Sequence, residues 1–261
     1  MLKIKRFLID VEGTVVKGKS FVPISGAMEW LRKARRGGRS FKLVSNNTTH
    51  SPGELYSLLR EKGFEIRPEE LVTCLLAAKE RLRKSKLRRC FVIGSAAMKR
   101  YFRGEGFEVD SNREFDAVLV GLDEKLTLQK LKTATEAILQ GGAKLIAMHK
   151  GRLYVDRDGA ISFSSGPIVS ALEFACGVKA TVVGKPSRSF YRNCIEDWQV
   201  DPGAVMMISD DPLSDLVGAK KMGMKTAFVL SGAYPRKEVL TRVNRMLRPD
   251  RVVEKISELP I

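Results

Sequence analysis

The chain has 261 residues, 44% of them hydrophobic, with ten prolines and few polar low-complexity tracts, so it exceeds one average domain and carries enough apolar material for a sizeable core. No run approaches a membrane span, and the basic start Met1-Leu2-Lys3-Ile4-Lys5-Arg6 leads into an apolar run that Asp10 stops too early for a signal peptide. The net charge of +16 is concentrated in clusters such as residues 32–39 and 81–89; these lack interleaved aromatics, so they read as a solvated surface, or a field attracting phosphorylated small molecules, before a nucleic-acid site.

Short β-branched or apolar runs alternate with helical patterns, which predicts parallel sheet with crossover helices. In chain order the predicted strands are Phe7 to Ile9, Phe41 to Val44, Cys90 to Ile93, Ala117 to Val120, Lys144 to Ala147, Ala180 to Val183, Val205 to Ile208 and Thr226 to Leu230. The first runs into Asp10-Val11-Glu12-Gly13-Thr14, two carboxylates and a glycine turn at the end of a strand, where open α/β sheets bind ligands. Such a pair suits attack on phosphorus by one carboxylate while the other handles the leaving-group proton and a cation damps their repulsion. Alone, it is equally a strand-end turn with solvated acids. Trp30 reads as packing on a helix face.

The second strand runs into Val44-Ser45-Asn46-Asn47-Thr48-Thr49, whose helix start offers N–H groups to a phosphate or is an ordinary cap. His50 reads as a surface residue at the helix entry. Ser51-Pro52-Gly53-Glu54 is a capping box with proline at the first helical position, Leu55, Leu58 and Leu59 form one face, and Gly63 ends the helix. The middle strands end at Gly94 and Gly121 without catalytic groups or a dinucleotide fingerprint. The motif-bearing strands fall at 7–47 and 180–230, so we expect a domain of about residues 77–181 inserted into a core of 1–76 plus 182–261.

His149, after the strand ending at Ala147, is either a substrate contact where insert meets core or a polar strand end. Val182-Val183-Gly184-Lys185-Pro186 places a lysine that can hold a carboxylate and neutralise a transferring phosphoryl group. Met206-Met207-Ile208-Ser209-Asp210-Asp211-Pro212-Leu213-Ser214-Asp215 follows an apolar strand with three carboxylates, of which Asp210 and Asp215 are spaced to face one site; hard oxygen ligands of this kind suit Mg2+. Trp198 reads as a helix-face packing residue. Cys74, Cys90, Cys176 and Cys194 form no C-x-x-C pair, read as core, and fit a reducing cytoplasm. Abundant Lys, Arg and Glu with little Gln hints at a thermophile.

Four strand ends thus carry, in order, Asp/Glu, Ser/Asn, Lys and Asp/Asp. In this the chain resembles the haloacid dehalogenase-like (HAD) phosphohydrolase superfamily over nearly its whole length. Ser-Asn-Asn, the long insert before Val-Gly-Lys-Pro and the ending Val229-Leu230-Ser231-Gly232 resemble the NagD-type branch. Leu145-Ile146-Ala147-Met148-His149-Lys150 and Ser165-Gly166-Pro167 look most like the phospholysine phosphohistidine inorganic pyrophosphate phosphatase subgroup. The resemblance implies a doubly wound, Rossmann-like parallel-sheet core with an inserted α/β C2-type cap, a cytoplasmic location and a possible homodimer through the cap.

It further implies Asp10 as nucleophile, Glu12 as acid and base, Ser45 and Asn46 as phosphate binders supported by Asn47 and Thr14, and Lys185 as charge clamp. Mg2+ would be held by Asp10, the Glu12 backbone carbonyl and Asp210, with Asp211 and Asp215 supporting. Two positions depart from the family pattern. Glu12 stands where Asp is usual, as it does in the enolase-phosphatases of the same superfamily, and Ser209 replaces the usual Gly with little expected effect on metal binding. The reading is a Mg2+-dependent phosphomonoester hydrolase acting through an aspartyl-phosphate on a small metabolite. Its rivals are a catalytically weak phosphate-binding or regulatory protein and, last, a nucleic-acid binder.

Overall fold

The computed structural model describes residues 4–111, 114–155 and 161–261; Met1, Leu2 and Lys3 of the basic start lie outside them. Along the chain, β1 (Arg6–Asp10), the short pair β2 (Val16–Lys17) and β3 (Val22–Pro23), α1 (Ala27–Arg36), β4 (Ser40–Ser45), α2 (Pro52–Glu61), β5 (Leu71–Thr73) and α3 (Cys74–Lys84) come first. Then follow β6 (Arg89–Ile93), α4 (Ala96–Gly104), β7 (Glu108–Val109), β8 (Ala117–Val120), α5 (Leu128–Leu139), β9 (Lys144–Ala147), β10 (Leu153–Val155), β11 (Ile161–Phe163), α6 (Ser165–Cys176) and β12 (Thr181–Val182). The chain closes with α7 (Arg188–Ile195), β13 (Val205–Ser209), α8 (Asp215–Lys221), β14 (Lys225–Val229) and β15 (Arg251–Val253).

Two parallel sheets result. The first has the order β15-β14-β13-β1-β4-β5. Strand order runs outward from β1 in both directions, so the C-terminal end of β1 is the switch point where such sheets open a crevice. Parallel strands bury both faces. Ile9, Leu43 and Ile208 pack against Trp30 and Leu31 of α1 and Leu55 and Leu59 of α2. Leu8, Val44 and Met207 pack against Phe190 and Tyr191 of α7 and Leu216 of α8. The first sheet is therefore doubly wound.

The second sheet, β12-β9-β8-β6-β7, is also parallel and carries α3 and α4 on one face and α5 and α6 on the other. Its apolar clusters reach from Cys74 to Val183. All eight strands expected from the sequence are present. Those not anticipated, β5, β7, β15 and the pairs β2/β3 and β10/β11, are two or three residues long, too short to show a period.

Helix α2 starts as its sequence requires: Glu54 N–H donates to Ser51 Oγ (3.2 Å), Ser51 N–H donates to Glu54 Oε2 (2.7 Å), and Gly63 follows the helix at φ 93°. Trp30 is buried on α1, its ring 5.1 Å from Phe7 and its indole N–H on the Leu259 carbonyl. Trp198 differs from expectation. It sits half-buried on a single 3-10 turn beyond α7, where the Lys42 ammonium lies 5.0 Å from its ring. All four cysteines are buried and free. Several arginines of the clusters pair with local acids, Arg32, Arg35 and Arg36 with Glu29, Glu65 and Glu70, and Arg83 and Arg89 with Glu105, Glu114 and Asp116. No helix among the described residues is long and apolar enough to cross a membrane.

Candidate active site

Past β1 the backbone turns at Gly13, whose φ of 85° suits a residue without a side chain. The Gly13 N–H donates to the Val16 carbonyl (2.7 Å), and Ser231 Oγ donates to the Gly13 carbonyl (2.7 Å). This tight turn leaves Asp10 buried at the sheet's switch point.

Lys185 enters the same point from the segment after β12. Its ammonium is 3% exposed and donates to Asp10 Oδ1 and to the Val44 carbonyl, and it lies 2.8 Å from Asp215 Oδ2. Burial opposes its charge, but Asp10 and Asp215 more than offset that, so Lys185 stays protonated, above its ordinary range. Asp215 is itself held. Ser209 Oγ donates to its Oδ2 (3.0 Å) and accepts the Asp211 N–H (3.1 Å), while Tyr191 donates to its backbone carbonyl (2.9 Å). Ser209, with little expected effect on metal binding, thus holds the carboxylate that lies against Lys185.

The second motif aims Glu12. Ser45 Oγ donates to Glu12 Oε2 (3.0 Å) and Asn47 Nδ2 donates to Glu12 Oε1 (2.8 Å), so the extra methylene of Glu brings its carboxylate to two donors. The Asn47 amide oxygen accepts the N–H groups of Thr49 (3.0 Å) and His50 (2.8 Å) and so ties the loop into the start of α2. His50 is half-buried, edge-on to Phe21 at 5.4 Å, not a free surface residue. Asn46, expected to bind phosphate, ties the loop to the Lys185 backbone: its amide accepts the Lys185 N–H (2.9 Å) and donates to the Lys185 carbonyl (3.0 Å). That clamp uses one of the two Nδ2 hydrogens and leaves the other as a donor.

Asp210 lies in a cradle of backbone. Its Oδ2 accepts the Ala233 N–H (2.6 Å), and a Cβ at Gly13 or Gly232 would collide with its carboxylate. Burial raises the Asp10 carboxyl well above the carboxylate range against the pull of Lys185, with Asp215, Asp210 and Glu12 adding to it. Burial likewise lifts Asp210 to about 6, opposed by the Ala233 N–H. Asp211, whose Oδ1 accepts the N–H groups of Leu213 (3.0 Å) and Ser214 (2.9 Å), is lifted to about 7 by burial and by Asp215 and Asp210.

Buried carboxylates thus outnumber the one buried ammonium among them, and a further cation is the physical remedy. Among the described residues no three acidic, histidine or cysteine side chains form a closed metal cage. Mg2+ keeps several waters and takes one or two carboxylates plus substrate oxygens. The donor set of Asp10, Asp210 and the Glu12 carbonyl fits that description. The hydroxyl of Thr14 is fully buried in the same turn without a partner among the described residues.

His149 is buried against the second sheet. Its Nδ1 accepts the Gly151 N–H (3.1 Å), and Ser165 Oγ lies within 3.3 Å of both ring nitrogens. Burial, helped by the charge of Lys185 and opposed by Asp215, lowers its pKa to about 4, so the ring is neutral. Sequence reasoning passed over Tyr191, Ala233 and Thr48. No local pattern reveals them, because each acts on a partner brought close only by the fold.

A model of haloacid dehalogenase-like hydrolases matches residues 7–108 and a HAD-hydrolase-like model matches 182–259. The human haloacid dehalogenase-like hydrolase domain-containing protein 2 is 34% identical over 232 residues, covering 88% of this chain and 86% of that protein. The human phospholysine phosphohistidine inorganic pyrophosphate phosphatase is 28% identical over 234 residues, 88% of this chain and 84% of that one. Among solved structures, p-nitrophenyl phosphatase from Archaeoglobus fulgidus superposes with a TM-score of 0.87 at 28% identity, over 98% of this chain and 97% of that chain. A glycerol phosphate phosphatase from Mycobacterium tuberculosis, in complex with magnesium, gives 0.80 at 26%, over 97% and 75%.

Proposed function

The chain belongs to the haloacid dehalogenase-like hydrolase family and is a phosphatase, and we propose that it hydrolyses small phosphomonoesters through an aspartyl-phosphate on Asp10 with Mg2+ as cofactor. The observation that carries this reading is the convergence of Asp10, Lys185, Asp215 and Asp210 at the switch point, with Glu12 aimed by the second motif.

In the proposed course an Asp10 carboxylate oxygen attacks phosphorus in line as the bond to the leaving oxygen breaks. Glu12 gives its proton to that oxygen. The Glu12 carboxylate then takes a proton from water, which attacks the aspartyl-phosphate; the bond between phosphorus and Asp10 breaks, freeing inorganic phosphate and restoring Asp10. Lys185, held protonated, neutralises charge on the equatorial oxygens, and Ser45 and the start of α2 offer donors to them. Asp10, Asp210 and the Glu12 carbonyl would hold Mg2+, which would supply charge compensation for the phosphoryl group. The layer built on the second sheet is the cap, which selects the leaving group.

The test is hydrolysis of p-nitrophenyl phosphate with Mg2+, with chelator, and by Asp10→Asn. The wild type should turn over only with the metal, and Asp10→Asn should fall to background; an Asp10→Asn chain as active as its parent refutes the mechanism.

A further inference from the structure

The glycines ending β6 and β8 have a structural use. A Cβ at Gly121 would lie 2.8 Å from Met98 Sδ of α4, 3.1 Å from Thr48 Cβ and 3.2 Å from its Cγ2, so the glycine makes room both for Met98 and for a core residue at the end of a cap strand. Thr48 is 3% exposed although it belongs to the loop after β4. Its Oγ1 accepts the Leu122 N–H (3.0 Å), just past β8. Its carbonyl accepts Ser95 Oγ (2.6 Å), just past β6. The adjacent Asn47 is the residue that donates to Glu12 Oε1 (2.8 Å). One short loop therefore holds the Glu12 carboxylate with one face and is held by the ends of two cap strands with the other.

We propose that Thr48 is a positioning residue for Glu12, through which the cap sets the geometry of proton transfer; this rests on Glu12 being the acid and base of the proposed phosphatase. Without the Thr48 hydroxyl the buried Leu122 N–H loses its acceptor and the loop loses its anchor. Asn47 then shifts relative to Glu12, while Ser45 stays at the end of β4. A misplacement on the order of 1 Å lowers a rate about a hundredfold, and a partial shift less. The loss falls on the transition state, where the leaving oxygen takes up its proton, and not on binding of the phosphoryl group by Lys185.

The experiment compares wild type, Thr48→Val and Thr48→Ser on two substrates. One is p-nitrophenyl phosphate, whose phenolate leaves without needing a proton; the other is the sugar or polyol phosphate that wild type turns over fastest. For Thr48→Val we expect kcat/KM to fall about 10- to 100-fold on the alkyl ester and several-fold less on the aryl ester, with thermal unfolding unchanged within a few degrees. Thr48→Ser, which keeps the hydroxyl, should recover most of the loss. Should Thr48→Val not fold, Ser95→Ala, which removes only the second anchor, is read in the same way and should show the same ordering of substrates.

Equal losses on both substrates, no loss on either, or a Thr48→Ser as impaired as Thr48→Val would overturn the inference. So would a wild type that turns over only the aryl ester, since it has no acid to position. Failure of the phosphatase reading itself looks different, because wild type and Asp10→Asn would then be indistinguishable on p-nitrophenyl phosphate.

Discussion

The first sheet ends its central strands β1, β4 and β13 in Asp10, Ser45 and Ser209, with Asp210 next, whereas the second ends β6 and β8 just before Gly94 and Gly121. Both sheets are parallel, both bury their two faces under helices, and strand ends of both meet at the loop that carries Thr48. What differs is the use of the end. The first sheet concentrates desolvated charge that is tolerable only because each group has a partner: Lys185 between Asp10 and Asp215, and Asp210 on the Ala233 N–H. The second sheet supplies space and donors, so that Leu122 N–H and Ser95 Oγ meet the core loop at Thr48. Parallel architecture fixes where a site can be, and the residue type at each strand end decides whether that place does chemistry or aims it.

If that division holds, changes at the first sheet's edge should outweigh all others. The largest partial loss is expected for Glu12→Gln, which keeps size but cannot give or take the proton; kcat should fall by about 10²–10⁴, the usual worth of a general acid and base. Glu12→Asp tests the geometry: the shorter side chain withdraws from Ser45 and Asn47, now 3.0 and 2.8 Å from it, and a fully active Glu12→Asp would show that their grip is not needed. Next in size is Lys185→Met. Loss of the ammonium removes the charge clamp, and kcat should drop about 10²–10³-fold, comparable to losing one oxyanion donor. Urea denaturation of the same variant reads the structural share, since Asp10 and Asp215 are left without their counter-charge.

The sharpest probe of the second layer is pH. His149 has a folded-state pKa of about 4 against an ordinary value near 6.5, so the unfolded chain binds the proton first as pH falls. Its stabilising contribution is complete above about pH 6.5 and disappears as pH falls toward 4, at about 3 kcal/mol across that window. Denaturation of wild type and His149→Gln at pH 7 and pH 4 isolates this term, because every other titrating group is common to both. Identical pH slopes would show that the ring is not held neutral by its burial.

Much of this was legible in the sequence because it is local. A carboxylate after an apolar run, a capping box and a lysine before proline each declare themselves within a few residues, and all eight strands expected from apolar runs are present. What was not legible is relational. That the Asn46 amide also clamps the backbone of Lys185, far along the chain, shows only in the fold. His149 looks available until Ser165 and Gly151 close on it. Thr48 shows nothing in sequence, since its partners Ser95 and Leu122 lie 47 and 74 residues away.

Ser209 gives the smallest expected effect and bears most directly on how strand ends are read. In sequence it was a departure from a usual glycine, a side chain that only had to be accommodated. In the structure its hydroxyl donates to Asp215 and accepts the Asp211 N–H, so it joins the end of β13 to the start of α8 and presses Asp215 toward Lys185. Ser209→Ala removes one hydrogen bond to a charged group, worth about 1.5 kcal/mol, and should lower kcat about tenfold with KM little changed. Ser209→Gly restores the usual residue without the hydroxyl and should lose as much. If instead the glycine variant matches the parent while the alanine variant does not, the backbone at this turn suffices and the hydroxyl only fills space, which would place Ser209 with Gly121 as a residue chosen for room.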